Sequence, residues 1–211
     1  MLGAVIGDIA GSRFEFDNYR HTDFDIFSPD SDFTDDTICT VAIADWVLQG
    51  CNDHLASILQ GWCRAYPCPK GAYGGRFSQW IEWKDPEPYN SWGNGSAMRV
   101  SAVGWAFATL EETLHFAEQS AAVTHNHPEG IKGAQAVAAA VFWARTGMGK
   151  AQIKENITRQ FGYDLSQSCD QIRPHYHFNE SCQETVPQAI TAFLESDDFE
   201  HAIRLAVSLG G

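Results

Sequence analysis

Two adjacent carboxylates, Asp35 and Asp36, stand where an apolar, helical pattern begins. They lie in the stretch SDFTDDTICT, residues 31–40, and VAIADWVL follows directly. One interpretation is helix capping, because Thr34 is a good N-cap residue and acids in a first turn complement the helix dipole. The other is metal binding, because adjacent carboxylates repel each other unless a cation lies between them or one keeps its proton, and such oxygen ligands suit Mg²⁺ or Mn²⁺. The stretch alone leaves both open.

A second group of candidate residues precedes them in GDIAGSRFEF. Gly3, Gly7 and Gly11 recur at a spacing of four, which favours close packing of one helix face against a neighbour. Asp8 and Glu15 do not fit that purely structural role. Both are ionisable within an apolar segment, and their burial without partners would be costly.

The stretch SWGNGSAMR places a Gly-rich turn, residues 93–96, before another helical pattern. Backbone amides at such a helix start can bind an anion, although a plain Gly-rich helix start is the more common case. Arg99, one turn further on, could hold a phosphate or pin a carboxylate. In THNHPEG, His125 and His127 are two residues apart and so do not share a helix face. We interpret His125 as a hydrogen-bond donor to a ligand.

Helices must position these residues, because apolar residues recur at helical spacing almost throughout and regular strand alternation is absent. We therefore predict an all-α fold with a single compact multi-helix domain over residues 1–211. The predicted helices span residues 38–48, 54–66, 109–128, 128–146, 151–161, 184–195 and 199–209. Residues 66–75 and 85–95 are predicted loops, and residues 164–182 a surface loop with a short ordered piece. The stretch YGGRFSQWIEW could be an aromatic-walled binding loop or a helix anchored by Trp80 and Trp83.

Composition narrows the class of protein. The 211 residues are 44% hydrophobic, enough for one sizeable core. The formal net charge of −13 argues against binding of duplex nucleic acid, which needs a basic surface. The N-terminal segment lacks the basic region of a secretory signal, and no apolar stretch is long enough to span a membrane. We expect a cytoplasmic monomer whose six cysteines are mostly free thiols.

Taken in order, five stretches resemble the ADP-ribosylglycohydrolase family over nearly the whole chain: GAVIGDIAGSRFEF, FTDDTICTVAIADWVL, SWGNGSAMRVSAVGW, THNHPEGIKGAQAVAAAVFWA and AIRLAVSLGG. The resemblance implies an all-α fold. It also implies a site for two Mg²⁺ or Mn²⁺ ions that hydrolyses the glycosidic bond between ADP-ribose and a modified protein side chain or other acceptor. The implied partner is an ADP-ribosylated protein or an ADP-ribose-type small molecule.

The same resemblance implies which residues act. These are the metal ligands Thr34, Asp35 and Asp36, the catalytic carboxylates Asp35, Asp36 and Glu15, and the substrate-binding residues Gly93, Asn94, Gly95, Ser96 and His125. Arg99 and Asp8 are implied to support these loops rather than to touch substrate.

The chain departs from the family pattern at its last residues. That pattern continues as GGD-x-D-T, whose Asp and Thr residues complete the metal site, whereas this sequence stops at Gly211. We expect a truncated form of a longer hydrolase that lacks the last helices of the fold. The alternative is a short, non-catalytic relative that binds ADP-ribose or has a structural role.

Overall fold

Every regular element of the computed structural model, which describes residues 1–210, is a helix. The helices are α1 (Leu2–Gly11), α2 (Asp35–Leu48), α3 (Leu55–Ala65), α4 (Gly75–Glu82), α5 (Gly95–Met98), α6 (Ser101–Ala106), α7 (Leu110–Ala122), α8 (Pro128–Arg145), α9 (Lys150–Phe161), α10 (Cys169–Ile172), α11 (Cys182–Glu195) and α12 (Phe199–Ser208). The described residues contain no β-strand, so the all-α prediction is confirmed.

Helix α8 is the centre of the fold and packs against α5, α6, α7, α9 and α11. Its alanines are small enough to let these neighbours approach closely, and Ala134, Ala136, Ala138 and Ala139 are fully buried. One close approach is at Gly104 of α6, where an added Cβ atom would lie 2.6 Å from Cβ of Val141. The Ala-rich sequence therefore builds a tight central helix.

Helix α7 ends earlier than predicted, at Ala122 rather than at Pro128. Pro128 has no N–H group to donate to the Thr124 carbonyl, so a helix could not continue through it. That carbonyl instead accepts from the backbone N–H groups of Tyr89, at 3.4 Å, and Ser91, at 3.5 Å. The early end leaves Thr124 and His125 in a turn beside the 89–91 segment.

The structure also decides the interpretation of YGGRFSQWIEW, which forms helix α4. Trp80 is fully buried, and its indole N–H donates to the Glu87 carbonyl at 3.1 Å. Trp83 is 39% exposed, so only the first of the two tryptophans anchors the helix in the core. The short helix α10 likewise confirms an ordered piece within residues 164–182.

The glycine face of α1 packs against α12 at two positions and leaves an open space between them. A Cβ atom on Gly3 would lie 3.1 Å from the Phe199 ring, and one on Gly11 would lie 3.9 Å from Val207, so α12 packs closely at both ends. A Cβ atom on Gly7 would meet no atom within 4 Å. Gly7 therefore lies in open space between these two contacts with α12.

Two further expectations concern the chain as a whole. None of the helices in residues 1–210 combines the length and the apolar character that a membrane span requires. All six cysteines are free thiols, as expected, and four of them are buried.

The connection between α1 and α2, residues 12–34, is tied down by basic side chains that donate to backbone carbonyls. Arg204 of α12 donates to the carbonyls of Thr22, at 2.9 Å, and Phe24, at 2.7 Å. Lys70 donates to the Asp30 carbonyl, and Arg13 donates to the carbonyl of Asp25. These contacts set the path of the connection that leads into Thr34.

Candidate functional site

A cavity of about 1210 Å³ lies between α1, the start of α2, the 71–77 segment and the 93–95 turn, with α11 and α12 closing its far side. Its polar half is lined by Asp8, Glu15, Thr34, Asp35, Asp36, Gly93, Asn94, Gly95 and His125. Eight of the nine candidate site residues from the sequence therefore meet at one cavity. The ninth, Ser96, does not line it.

Asp8 fixes the start of α2 to α1. Its carboxylate accepts from the backbone N–H groups of Thr34, at 2.9 Å, and Thr37, at 3.2 Å. It also accepts from the Thr34 hydroxyl, at 2.6 Å, and the Thr37 hydroxyl, at 2.5 Å. With four donors, this carboxylate supports the loop rather than the ligand, which explains an acid within an apolar helix.

Thr34 caps helix α2, so the capping interpretation of TDDT is confirmed. Its hydroxyl oxygen accepts from the Asp36 backbone N–H at 3.1 Å, and the side chain is buried. Capping does not require two acids, however, and Asp35 and Asp36 extend beyond the cap along the cavity wall. The same stretch therefore contains a helix cap and two acids that line the cavity.

The carboxylates at this cavity strongly disfavour one another's charge. Burial, with Glu15 and Asp8 close by, raises the pKa of Asp35 to about 7. Burial, with Asp35 and Asp8 close by, raises the pKa of Asp36 to about 8. Burial first, then the charges of Asp8 and Glu180, also raises the pKa of Glu15. None of these acids forms an ion pair with a described basic side chain, so their ionised forms would leave an excess of negative charge at the site.

This excess charge fits a divalent cation. In residues 1–210, no three His, Cys, Asp or Glu side chains converge closely enough to hold a metal ion as they stand. The donor chemistry nevertheless suits one, because Asp35, Asp36, Glu15 and the Thr34 hydroxyl are hard oxygen groups around one space. A bound cation would neutralise the ionised carboxylates and allow them to lie closer together.

The Glu15 carboxylate lies at the cavity in close contact with Gly71. Its buried Oε2 atom has no hydrogen-bond partner among the described residues. Gly71 in the 67–74 loop has a φ of +78°, and a Cβ atom there would lie 2.3 Å from Glu15 Oε2. The next residue back, Lys70, pairs with Thr34 in a parallel β-bridge. The loop thus contacts both the carboxylate and the start of the acidic cluster.

The GNGS turn faces the acids across the cavity. The Asn94 backbone N–H donates to the Glu180 carbonyl at 2.6 Å. The Ser96 hydroxyl donates to the Gly130 carbonyl at 2.7 Å and is fully buried. Ser96 therefore secures the turn against α8, whereas Gly93, Asn94 and Gly95 line the cavity.

His125 and Arg99 lie behind this turn. His125 is 5% exposed, and its Nδ1 atom lies 2.7 Å from the Thr124 hydroxyl. Burial, reinforced by the nearby Arg99 charge, lowers the pKa of His125 to about 3. Arg99 donates to the Ser120 carbonyl at 2.9 Å and to the Thr124 hydroxyl at 2.8 Å, so it pins neither a carboxylate nor the turn itself. His127 instead caps α8, its Nδ1 accepting from the Glu129 N–H at 3.1 Å.

The buried, neutral His125 should make stability depend on pH. The unfolded chain binds a proton near the ordinary histidine pKa of 6.5, whereas the folded chain takes it up only near pH 3. The stabilising contribution is therefore complete above pH 6.5 and is lost as the pH falls towards 3. Urea unfolding from pH 7 to pH 4 should show a shallower loss of stability in His125→Gln than in the unmodified chain. Identical slopes would contradict the assignment.

Two residues of the site could not be singled out from their sequence context. Gly71 lies in PKGAYGG, which contains three glycines with nothing to distinguish the one that meets Glu15. Thr124 precedes His125 directly, but its partner Arg99 is 25 residues away. One signal in the sequence was available. Arg99 lies within an apolar pattern, and a charged residue buried there requires hydrogen-bond partners.

Comparison with known proteins shows the family. The model of the family described as ADP-ribosylglycohydrolase matches residues 1–211. This chain belongs to the ADP-ribosylglycohydrolase family. A solved structure titled "ADP-ribosylglycohydrolase-related protein complex" superimposes with a TM-score of 0.72 and 23% identity, covering 100% of this chain and 79% of that one. This chain therefore shares its fold with that solved structure.

Two curated proteins are also similar to this chain in sequence. One is "ADP-ribosylarginine hydrolase Tri1" from Pseudomonas putida (strain GB-1), 26% identical over 241 residues, covering 99% of this chain and 64% of that protein. Another is "ADP-ribosylhydrolase ARH3" from Xenopus tropicalis, 26% identical over 175 residues, covering 70% of this chain and 49% of that protein. The chain therefore spans less than two thirds of the length of either relative.

Proposed function

We propose that this protein is an ADP-ribosyl hydrolase, or the larger part of one, that releases ADP-ribose from a modified acceptor. The observation that carries the proposal is the convergence of Glu15, Asp35 and Asp36 opposite the Gly93–Gly95 turn at one cavity. Family membership over residues 1–211 supports the same chemistry. The cavity, at about 1210 Å³, is large enough for a dinucleotide-sized ligand.

The acids would act on the bond at the ribose anomeric carbon. Hydrolysis of a glycosidic bond passes through an oxocarbenium-like transition state, which carboxylates stabilise by their negative charge. Glu15 lines the cavity together with Asp35 and Asp36, so we assign its carboxylate to orient the attacking water and accept its proton. Asp35 and Asp36 hold negative charge beside the ribose, and Thr34 fixes their helix start.

We assign the metal site to Thr34, Asp35 and Asp36, with Mg²⁺ or Mn²⁺ as the ions that their oxygen donors suit. Two ions are proposed, as the family resemblance implies. When bound, they would supply positive charge that orients the ribose hydroxyls and lowers the pKa of water. At the site itself, the bound ions would neutralise the mutual repulsion of Asp35 and Asp36.

The opposite wall would hold the remainder of ADP-ribose. Gly93 and Gly95 have no side chain where the turn meets His125, so the imidazole ring can lie close to the backbone of the turn that lines the cavity. Positioning the ligand along this wall would bring the anomeric carbon to the acids, which is the main advantage of a preformed site. His125 would donate a hydrogen bond to a ligand oxygen.

The test is release of ADP-ribose from a modified protein in the presence of Mg²⁺ or Mn²⁺. The P. putida relative is named as an ADP-ribosylarginine hydrolase, so arginine-linked ADP-ribose is the first substrate to use. Serine-linked and nucleotide-linked substrates follow. Turnover that chelation removes supports the proposal. Inactivity on all three linkages, with metal present, overturns it. Calorimetric binding of ADP-ribose without turnover would instead indicate a non-catalytic member of the family.

A further inference from the structure

We propose that Arg99 and Thr124 are positioning residues that fix His125 in the tautomer with its proton on Nε2. His125 then presents an N–H donor, and never a bare nitrogen, to an acceptor oxygen of the ligand. The identity of that ligand rests on the proposed function, whereas the tautomer follows from the hydrogen bonds alone.

The first step of the argument is the direction of the bond from Arg99. A guanidinium group has only donors, so its contact with the Thr124 hydroxyl at 2.8 Å must be a donation from Nη2. The same nitrogen donates to the Ser120 carbonyl at 2.9 Å, which holds the guanidinium in place. One lone pair of the Thr124 oxygen is therefore occupied.

The second step follows the hydroxyl hydrogen of Thr124. Thr124 is fully buried, so leaving this hydrogen without an acceptor would be unfavourable. Among the described residues, the acceptor within reach is His125 Nδ1, at 2.7 Å. If Nδ1 carried a proton, it would donate to the second lone pair of the Thr124 oxygen and leave the buried hydroxyl hydrogen without an acceptor. Nδ1 must therefore be the bare nitrogen, and in a neutral ring the proton lies on Nε2.

The third step concerns the charge of the ring. Burial and the neighbouring Arg99 charge disfavour a protonated imidazole and lower the pKa of His125 to about 3. The ring therefore carries a single proton at neutral pH. This agrees with the hydrogen bonds, which leave only one position for it.

The fourth step is the direction of Nε2. Cβ atoms added to Gly95 and Gly93 would lie 3.1 Å and 3.4 Å from His125 Nε2, so this nitrogen faces the turn that lines the cavity. Within residues 1–210, Nε2 has no hydrogen-bond partner. The fixed donor is therefore available to a phosphate, ether or carbonyl oxygen of the ligand, and it discriminates against a group that can only donate.

Long-range ¹H–¹⁵N spectra of protein labelled at histidine report the tautomer directly and need no substrate. The expected result is a neutral His125 with its proton on Nε2. Thr124→Ser keeps the hydroxyl and should keep that tautomer, whereas Thr124→Val has nearly the same shape without the hydroxyl and should give a mixture. A proton on Nδ1 in the unmodified protein, or a Val variant that stays wholly in the Nε2 form, would overturn the proposal.

Calorimetry with ADP-ribose extends the test to the ligand. Thr124→Val should bind about tenfold more weakly, the equivalent of one neutral hydrogen bond, and Thr124→Ser should stay within about threefold of the unmodified protein. Equal losses in both variants would show a merely structural role and contradict the proposal. If the unmodified protein binds no ADP-ribose, the proposed function fails, while the spectra still decide the tautomer.

Discussion

Replacing Asp36 by asparagine should lower turnover of an ADP-ribosylated substrate by about 1,000-fold or more. The amide keeps the shape of the side chain but removes the charge that the transition state and a divalent cation require. Asp35→Asn should have a similar effect. Both changes are measured as kcat for ADP-ribose release in the presence of Mg²⁺ or Mn²⁺.

The fold should survive these substitutions. Burial and the neighbouring acids raise the pKa of Asp36 to about 8, which means that its charge is unfavourable in the folded protein. A neutral amide removes that repulsion, so the melting temperature without metal should be no lower than that of the unmodified chain. Asp53→Asn, at an exposed position outside the cavity, is the matched control and should retain turnover. Full activity in Asp36→Asn would refute the assignment of this acid.

Gly71→Ala should lower turnover by about 10-fold to 100-fold by displacing Glu15. The new methyl group would occupy the position 2.3 Å from Glu15 Oε2, so the carboxylate must move away from its place in the cavity. Displacement of a reacting group by about 1 Å can cost about 100-fold in rate. The loss should appear in kcat more than in KM, because binding of ADP-ribose at the opposite wall is unaffected.

Substitutions at two other glycines are controls that distinguish the steric clash at Gly71 from backbone strain. Gly50 also has a positive φ, of +81°, but a Cβ atom there would meet nothing within 4 Å, so Gly50→Ala carries only the strain of about 1 kcal/mol. Gly74→Ala, in the same loop as Gly71, has neither strain nor a close contact. Both should keep their turnover. A loss in Gly74→Ala as large as that in Gly71→Ala would mean that the loop, and not the contact, matters.

A double-mutant cycle provides a measurement independent of activity. In a Glu15→Ala background the added methyl group has no carboxylate to meet, so the Gly71→Ala change should lower the melting temperature less than it does beside Glu15. Glu15→Asp, shorter by one methylene, should also partly restore turnover when combined with Gly71→Ala. Additive effects in both experiments would show that the two residues do not act on each other.

The helical content of this protein could be predicted because it depends on local patterns. Helices α8, α9 and α12 follow apolar periodicity in continuous stretches of sequence, and the structure places them within one or two residues of the predicted bounds. The end of α7 was missed, since it depends on the Thr124 carbonyl being taken by Tyr89 and Ser91 rather than by its own helix. Chain segments that are far apart in sequence decided that boundary.

The site residues could likewise be predicted where they are neighbours in sequence, but not where distant segments meet. Thr34, Asp35 and Asp36 are neighbours in sequence, so their combined charge is visible there. The contact of Gly71 with Glu15 joins two loops 56 residues apart, and no local pattern encodes it. Ser96 was assigned with its turn, but a side chain's direction depends on its neighbours, and the Gly130 carbonyl draws it away from the cavity.

The carbonyl anchors of residues 12–34 have a consequence for the substitutions that this connection can accept. Arg204 holds Thr22 and Phe24 by backbone groups that every residue possesses. Lys70 holds Asp30 in the same way. Side chains along this connection can therefore be exchanged while the main chain keeps its course into Thr34. The surface formed by residues 22–30 can thus vary without displacing Thr34 and the acids that follow it.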